Sequence, residues 1–117
     1  MAEALTKRRE PLRMARWIRA CRAVDIPELG ARVIRRPGGD IALFRNADGE
    51  CFALLDRCPH KGGPLSQGIV FGRSVACPLH GWIVCLQDGR AEAPDTGCTR
   101  SFPVKVENGE VLLQLSD

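Results

Sequence analysis

Cys58-Pro59-His60-Lys61-Gly62-Gly63-Pro64 and Cys77-Pro78-Leu79-His80-Gly81-Trp82, with sixteen residues between His60 and Cys77, are the segments from which this chain is read. They contain its only two histidines. Each segment pairs one soft thiol with one imidazole, at Cys-x-His and Cys-x-x-His spacing. Four donors, Cys58, His60, Cys77 and His80, can therefore converge if two loops at the tips of β-hairpins lie face to face. Gly62, Gly63, Gly68 and Gly81 allow close backbone approach where a side chain would block it, and Pro59, Pro64 and Pro78 stiffen the loops. A Cys₂His₂ zinc site could use the same donors, although zinc fingers group two cysteines and then two histidines, whereas the order here is Cys, His, Cys, His. A reading without metal, with core cysteines and surface histidines, leaves both Cys-Pro loops beside histidines unexplained.

Outward from these loops the pattern is of short β-prone runs broken by Gly, Asn, Asp and Pro, which predicts an all-β sandwich or barrel. Strands are expected at 17–21, 31–35, 41–45, 51–55, 69–70, 74–76, 82–86, 102–107 and 111–115. Asn46-Ala47-Asp48-Gly49 suits a four-residue hairpin loop, and Asn108-Gly109 a tight one. The one helix-like turn expected lies near Ile26–Leu29. Cys21, Cys51, Cys85 and Cys98 sit in or beside β-prone runs and read as small structural hydrophobes. Trp82 reads either as a core aromatic or as a lid over the metal centre, and Lys61 as a solvated charge.

The 117 residues suit one domain with a modest core. Residues 1–36 hold ten Lys or Arg against four acids, while 37–117 hold seven against ten. Residues 1–13 read as a flexible basic extension and 14–117 as the domain, with the metal-binding loops within about 56–86. The basic front lacks interleaved aromatics apart from Trp17, and no nucleic-acid motif follows it, so nucleic acid is not an expected partner. No apolar run is long enough for a membrane helix and no secretory signal is apparent, so a cytoplasmic protein with no membrane partner is expected. The uneven spacing of the six cysteines argues against a secreted disulfide framework.

The two loop motifs resemble those of the Rieske family, and the resemblance runs from about Trp17 to Leu115. It implies an antiparallel β-sandwich or barrel with a small cluster-binding subdomain. It also implies a [2Fe–2S] cluster with Cys58 and Cys77 on one iron and His60 and His80 on the other. Two neutral imidazoles in place of two thiolates leave such a centre less negative, which places its potential at roughly −150 to +300 mV against about −400 mV for plant-type ferredoxins. Respiratory members carry a disulfide between the two loops where this chain has Gly63 and Leu79. The usual serine and tyrosine hydroxyl donors are also missing. Both departures imply a potential toward the low end of that range.

Gly62-Gly63-Pro64-Leu65-Ser66-Gln67-Gly68 and 93–104 look like the small subunit of assimilatory NAD(P)H-dependent nitrite reductase. That resemblance implies a large siroheme and flavin subunit as partner in the reduction of nitrite to ammonium. The alternatives are a free Rieske ferredoxin supplying a dioxygenase, and a cluster-free or zinc-bearing interaction module. With both histidines committed to a cluster, the chain has none left for an oxygenase's mononuclear iron site, and it shows no recognised nicotinamide or nucleotide motif. One-electron transfer with no catalytic residue of its own is the expectation, the electrons coming from a partner.

Overall fold

The computed structural model describes residues 16–79 and 81–115. The expected 1–13 extension and His80 lie outside the described residues. Among the described residues ten strands follow in order: β1 (Arg16–Arg22), β2 (Gly30–Ile34), β3 (Ile41–Arg45), β4 (Cys51–Leu55), β5 (Ile69–Phe71), β6 (Ser74–Ala76), β7 (Ile83–Cys85), β8 (Ser101–Phe102), β9 (Val104–Glu107) and β10 (Glu110–Leu115). They form three antiparallel sheets, ordered β9-β10-β1, β2-β3-β4-β8 and β5-β6-β7.

β3 lies at the centre of this arrangement. Successive strand residues point to opposite faces, and Ile41, Ala42, Leu43 and Phe44 are all fully buried, so both faces of the middle sheet are covered. Ile41 and Leu43 join Ala53, Phe102, Cys21, Val111 and Leu113 in the core under β1 and β10. Ala42 and Phe44 join Leu54, Val70, Val75, Val84, Cys58 and Cys77 under the small β5-β6-β7 sheet. The alternation within one strand thus divides the hydrophobic interior in two, and the second half reaches the predicted ligand loops.

The expected strand at 102–107 is interrupted. Pro103 has no N–H for a ladder, and the chain changes sheets there: Phe102 pairs with Ala53 of β4, while Val104 pairs with Leu113 of β10. The expected helical turn near Ile26–Leu29 is a tight turn closed by Gly30 N–H to Pro27 O at 3.0 Å. The short 3-10 turns lie instead at Ala23–Asp25 and Leu65–Gln67. Only the second ligand loop caps a hairpin, between β6 and β7. The first crosses from the middle sheet to the small one, because β4 and β5 do not pair.

Candidate metal centre

Both ligand loops are closed by the same pair of backbone hydrogen bonds. Cys58 N–H donates to the Gly63 carbonyl at 2.8 Å and Gly62 N–H to the Cys58 carbonyl at 2.9 Å. In the second loop, Cys77 N–H donates to the Trp82 carbonyl at 2.7 Å and Gly81 N–H to the Cys77 carbonyl at 3.0 Å. The fifth residue of each must turn left-handed, and Gly62 and Gly81 do so at φ +73° and +72°. The Asp56 carboxylate anchors the first loop by accepting from both Ser66 N–H and Ser66 Oγ at 2.7 Å.

The loops meet at Gly63. A Cβ there would lie 2.7 Å from Leu79 Cδ1 and 3.3 Å from Cys77 Sγ, so the missing side chain is the space into which the second loop fits. Gly63 and Leu79, the two positions singled out for the absent disulfide, are thus packed together, and all six cysteines are free thiols. Cys58 and Cys77 are 2% and 4% exposed. Burial raises the Cys58 thiol pKa, with the Cys77 thiol within hydrogen-bonding reach adding to the rise, while the His60 and Lys61 N–H groups aimed at its sulfur act the other way. A metal would take these thiols as thiolates.

The His60 ring stacks on Trp82, with centroids 4.3 Å apart and planes 9° from parallel, and its Nδ1 is shielded from solvent. Trp82 also packs against the core beneath the small sheet, so it serves as both core aromatic and cover. Of the four predicted donors, the structure gathers Cys58, His60 and Cys77 at the meeting of the loops, and His80 lies outside the described residues. Among the described residues no three His, Cys, Asp or Glu side chains form a single-ion site. A buried thiol pair with a stacked imidazole suits a two-iron centre, in which thiolates and imidazoles serve different irons.

The remaining cysteines differ in burial: Cys21 is buried, Cys51 and Cys85 are half-buried, and Cys98 is exposed, against the expectation of a buried thiol. Cys98 lies in a bridge with Arg90 rather than a full strand, so no second layer covers it. Sequence reading also missed the 93–100 segment as a wall of the site. Gly97 sits close enough to the first loop that a Cβ would be 3.3 Å from Pro59 Cβ. Its sequence signal is the run of Gly and small residues before Arg100.

Residues 16–103 match the Rieske [2Fe–2S] domain family. A 3-phenylpropionate/cinnamic acid dioxygenase ferredoxin subunit of Escherichia coli strain K12 is 39% identical over 86% of this chain and 94% of that subunit. The 4beta-methylsterol monooxygenase of Methylococcus capsulatus is 43% identical over 68% of this chain, which spans about a quarter of that enzyme, 24%. Among solved structures, a complex of oxygenase and ferredoxin in carbazole 1,9a-dioxygenase superposes with a TM-score of 0.72 at 29% identity, over 83% of this chain and 91% of its match. A structure assigned as an NADH-dependent nitrite reductase small subunit, from Mycobacterium tuberculosis, superposes at 0.77 with 23% identity, over 88% and 97%, a likeness of fold alone. Among the described residues no helix is long and apolar enough to cross a membrane. The chain belongs to the Rieske [2Fe–2S] domain family, as a ferredoxin-type electron-transfer domain whose cofactor is the Rieske-type [2Fe–2S] cluster.

Proposed function

We propose that this chain carries single electrons to a terminal oxygenase, with Cys58 and Cys77 holding one iron of the cluster and His60 and His80 the other. The match to a dioxygenase ferredoxin subunit over 94% of that subunit's length carries this reading. The cluster supplies reversible one-electron redox chemistry when bound. The chain's own residues hold and shield it. The paired loops fix the two thiols at one depth, Trp82 holds the His60 ring in plane and keeps water off one face, and the His60 and Lys61 N–H groups donate toward the Cys58 sulfur. With Gly63 and Leu79 in packing contact in place of a cross-link, and no tyrosine in the chain, the reduced state has fewer donors to stabilise it. The potential is expected low in the Rieske range.

A second reading, the small subunit of nitrite reductase with a large siroheme and flavin partner, draws support from the resemblance of 93–104. That segment lies against the first ligand loop at Gly97. Anaerobically purified protein is expected to show a rhombic mixed-ligand EPR signal after dithionite, and its absence would overturn the cluster assignment. Electron exchange with a ferredoxin reductase and an oxygenase, without a lasting complex, supports the first reading. A stable complex with a siroheme protein supports the second.

A further inference from the structure

Leu79 stands in the second ligand loop with its side chain 53% exposed, an unusual place for a large apolar group. Its inner edge is pressed into the first loop: Leu79 Cδ1 and Cγ lie 2.7 and 2.9 Å from where a Cβ on Gly63 would be. Gly63 does not adopt the left-handed backbone of Gly62 and Gly81, so it is space and not conformation that calls for a glycine there. Cys77 Sγ lies 3.3 Å from the same point, so the notch left at Gly63 is shared by the leucine edge and the sulfur. Both neighbours of the leucine are shut off from solvent. Gly63 is buried although it sits in a loop, and Cys77 is 4% exposed.

We infer that Leu79 is the cap of the proposed metal centre: its side chain closes the Gly63 notch against water and keeps the Cys77 sulfur in an apolar surround. Accepting an electron adds negative charge to the centre. Water beside a ligating sulfur stabilises that charge, and an apolar shell withholds the stabilisation. Leu79 thus acts through Cys77, as a positioning residue that holds the potential down without being a ligand. The inference rests on the electron-carrier reading and adds the side chain that governs access of water to one thiolate.

Three variants of the full chain test it, with cluster loading checked first by the visible spectrum. Leu79→Ala removes the cap, and Leu79→Met refills the notch with an apolar side chain of similar volume. Val106→Ala trims a side chain of like exposure on β9, in the sheet on the other side of β3. Protein-film voltammetry should place the Leu79→Ala midpoint potential above that of the parent chain, with Leu79→Met and Val106→Ala at the parent value. Deuteron ENDOR of the dithionite-reduced protein in D₂O, which involves no partner and no turnover, should gain a weakly coupled exchangeable deuteron in Leu79→Ala alone. Denaturant unfolding runs alongside, because a leucine with a merely structural role would lower stability and leave both other readouts still. If Leu79→Ala does not retain a cluster, Leu79→Val, one methylene shorter, takes its place with the same expectations. An unchanged midpoint and deuteron spectrum in the trimmed variant, or an equal shift in Leu79→Met, would overturn the cap inference while leaving the carrier reading intact. A parent chain that takes up no cluster would overturn the carrier reading and this inference with it.

Discussion

The two ligand loops and the loop at Cys85–Arg90 share one backbone design and differ in what it is used for. Cys85 N–H donates to the Arg90 carbonyl and Gly89 N–H to the Cys85 carbonyl, both at 2.8 Å, with Gly89 left-handed at φ +78°. The same bonds and the same fifth-position glycine close the loops at Cys58 and Cys77. Yet Cys85 is followed by Leu86-Gln87-Asp88, with no proline and no histidine, and its thiol lies opposite the inward-facing Val84 on β7. The glycines diverge too. A Cβ on Gly89 would lie 2.2 Å from the Thr99 carbonyl oxygen, whereas one on Gly81 would meet nothing within 4 Å. The closed loop is therefore a general way to reverse the chain. It forms the proposed metal centre where two copies face each other with thiols inward, and a packing wedge where the glycine is pressed against the Thr99 backbone.

Substitutions in matched positions can break that comparison. The largest effect is expected for Cys58→Ser or Cys77→Ser, either of which should abolish the visible absorbance and the EPR signal of the cluster, while Cys85→Ser retains both. Loss of the signal in Cys85→Ser would mean that the third loop is not a bystander. Next, Gly89→Ala should lower unfolding stability by about 3 kcal/mol, since it combines left-handed backbone with a clash against a carbonyl. Gly81→Ala, at φ +72° in open space, should cost only about 1 kcal/mol. Denaturant titration measures both, and equal costs would remove the distinction between wedge and ligand loop.

The contact between the two ligand loops can be tested in the same way. Gly63→Ala is expected to destabilise by about 2 kcal/mol through its overlap with Leu79. Leu79→Ala in the same chain should recover more than half of that loss, because the two sites share the same space. Simple additivity in a double-mutant cycle would show that the loops do not lean on each other.

The smallest effect concerns the tie between the middle sheet and the small sheet. Asn46 Nδ2 donates to Glu50 Oε1 at 2.8 Å and to the Gly72 carbonyl at 2.9 Å, and Arg73 donates to both Glu50 oxygens at 2.9 and 2.7 Å. The Arg73 bonds, followed by the Asn46 bond, lower the Glu50 pKa to about 2. A carboxyl lowered on folding stabilises above its unfolded pKa, and that contribution fades as pH falls from about 4.5 toward 2. Glu50→Gln should lower thermal stability slightly above about pH 5, with the difference from the parent chain fading toward pH 2 and small throughout because the group is exposed. An unaltered acid limb in scanning calorimetry would dismiss this tie as a contributor.

Much of the fold was legible because sheet structure writes itself into local alternation and turn chemistry. Ile41–Arg45, Cys51–Leu55 and Ser74–Ala76 fall where their β-branched, aromatic and apolar residues put them, bounded by Gly, Asn and Asp. The 3-10 turn at Leu65–Gln67 was not legible, because three residues carry no period. Nor was the change of sheet at Pro103, since a proline says that a ladder stops and not where the chain goes next.

By itself the sequence determined the all-β class and proposed the donor set and the glycines of the two loops, because β-propensity, thiol and imidazole chemistry and the lack of a Cβ belong to single residues or their near neighbours. Only the tertiary structure decided that the Cys85 loop shares the backbone design of the other two, that Leu79 fills the space left at Gly63, and that Gly97 lies against Pro59. The last two are contacts between residues far apart in the chain. They depend on how β3, buried on both faces, seats one sheet on each side of itself.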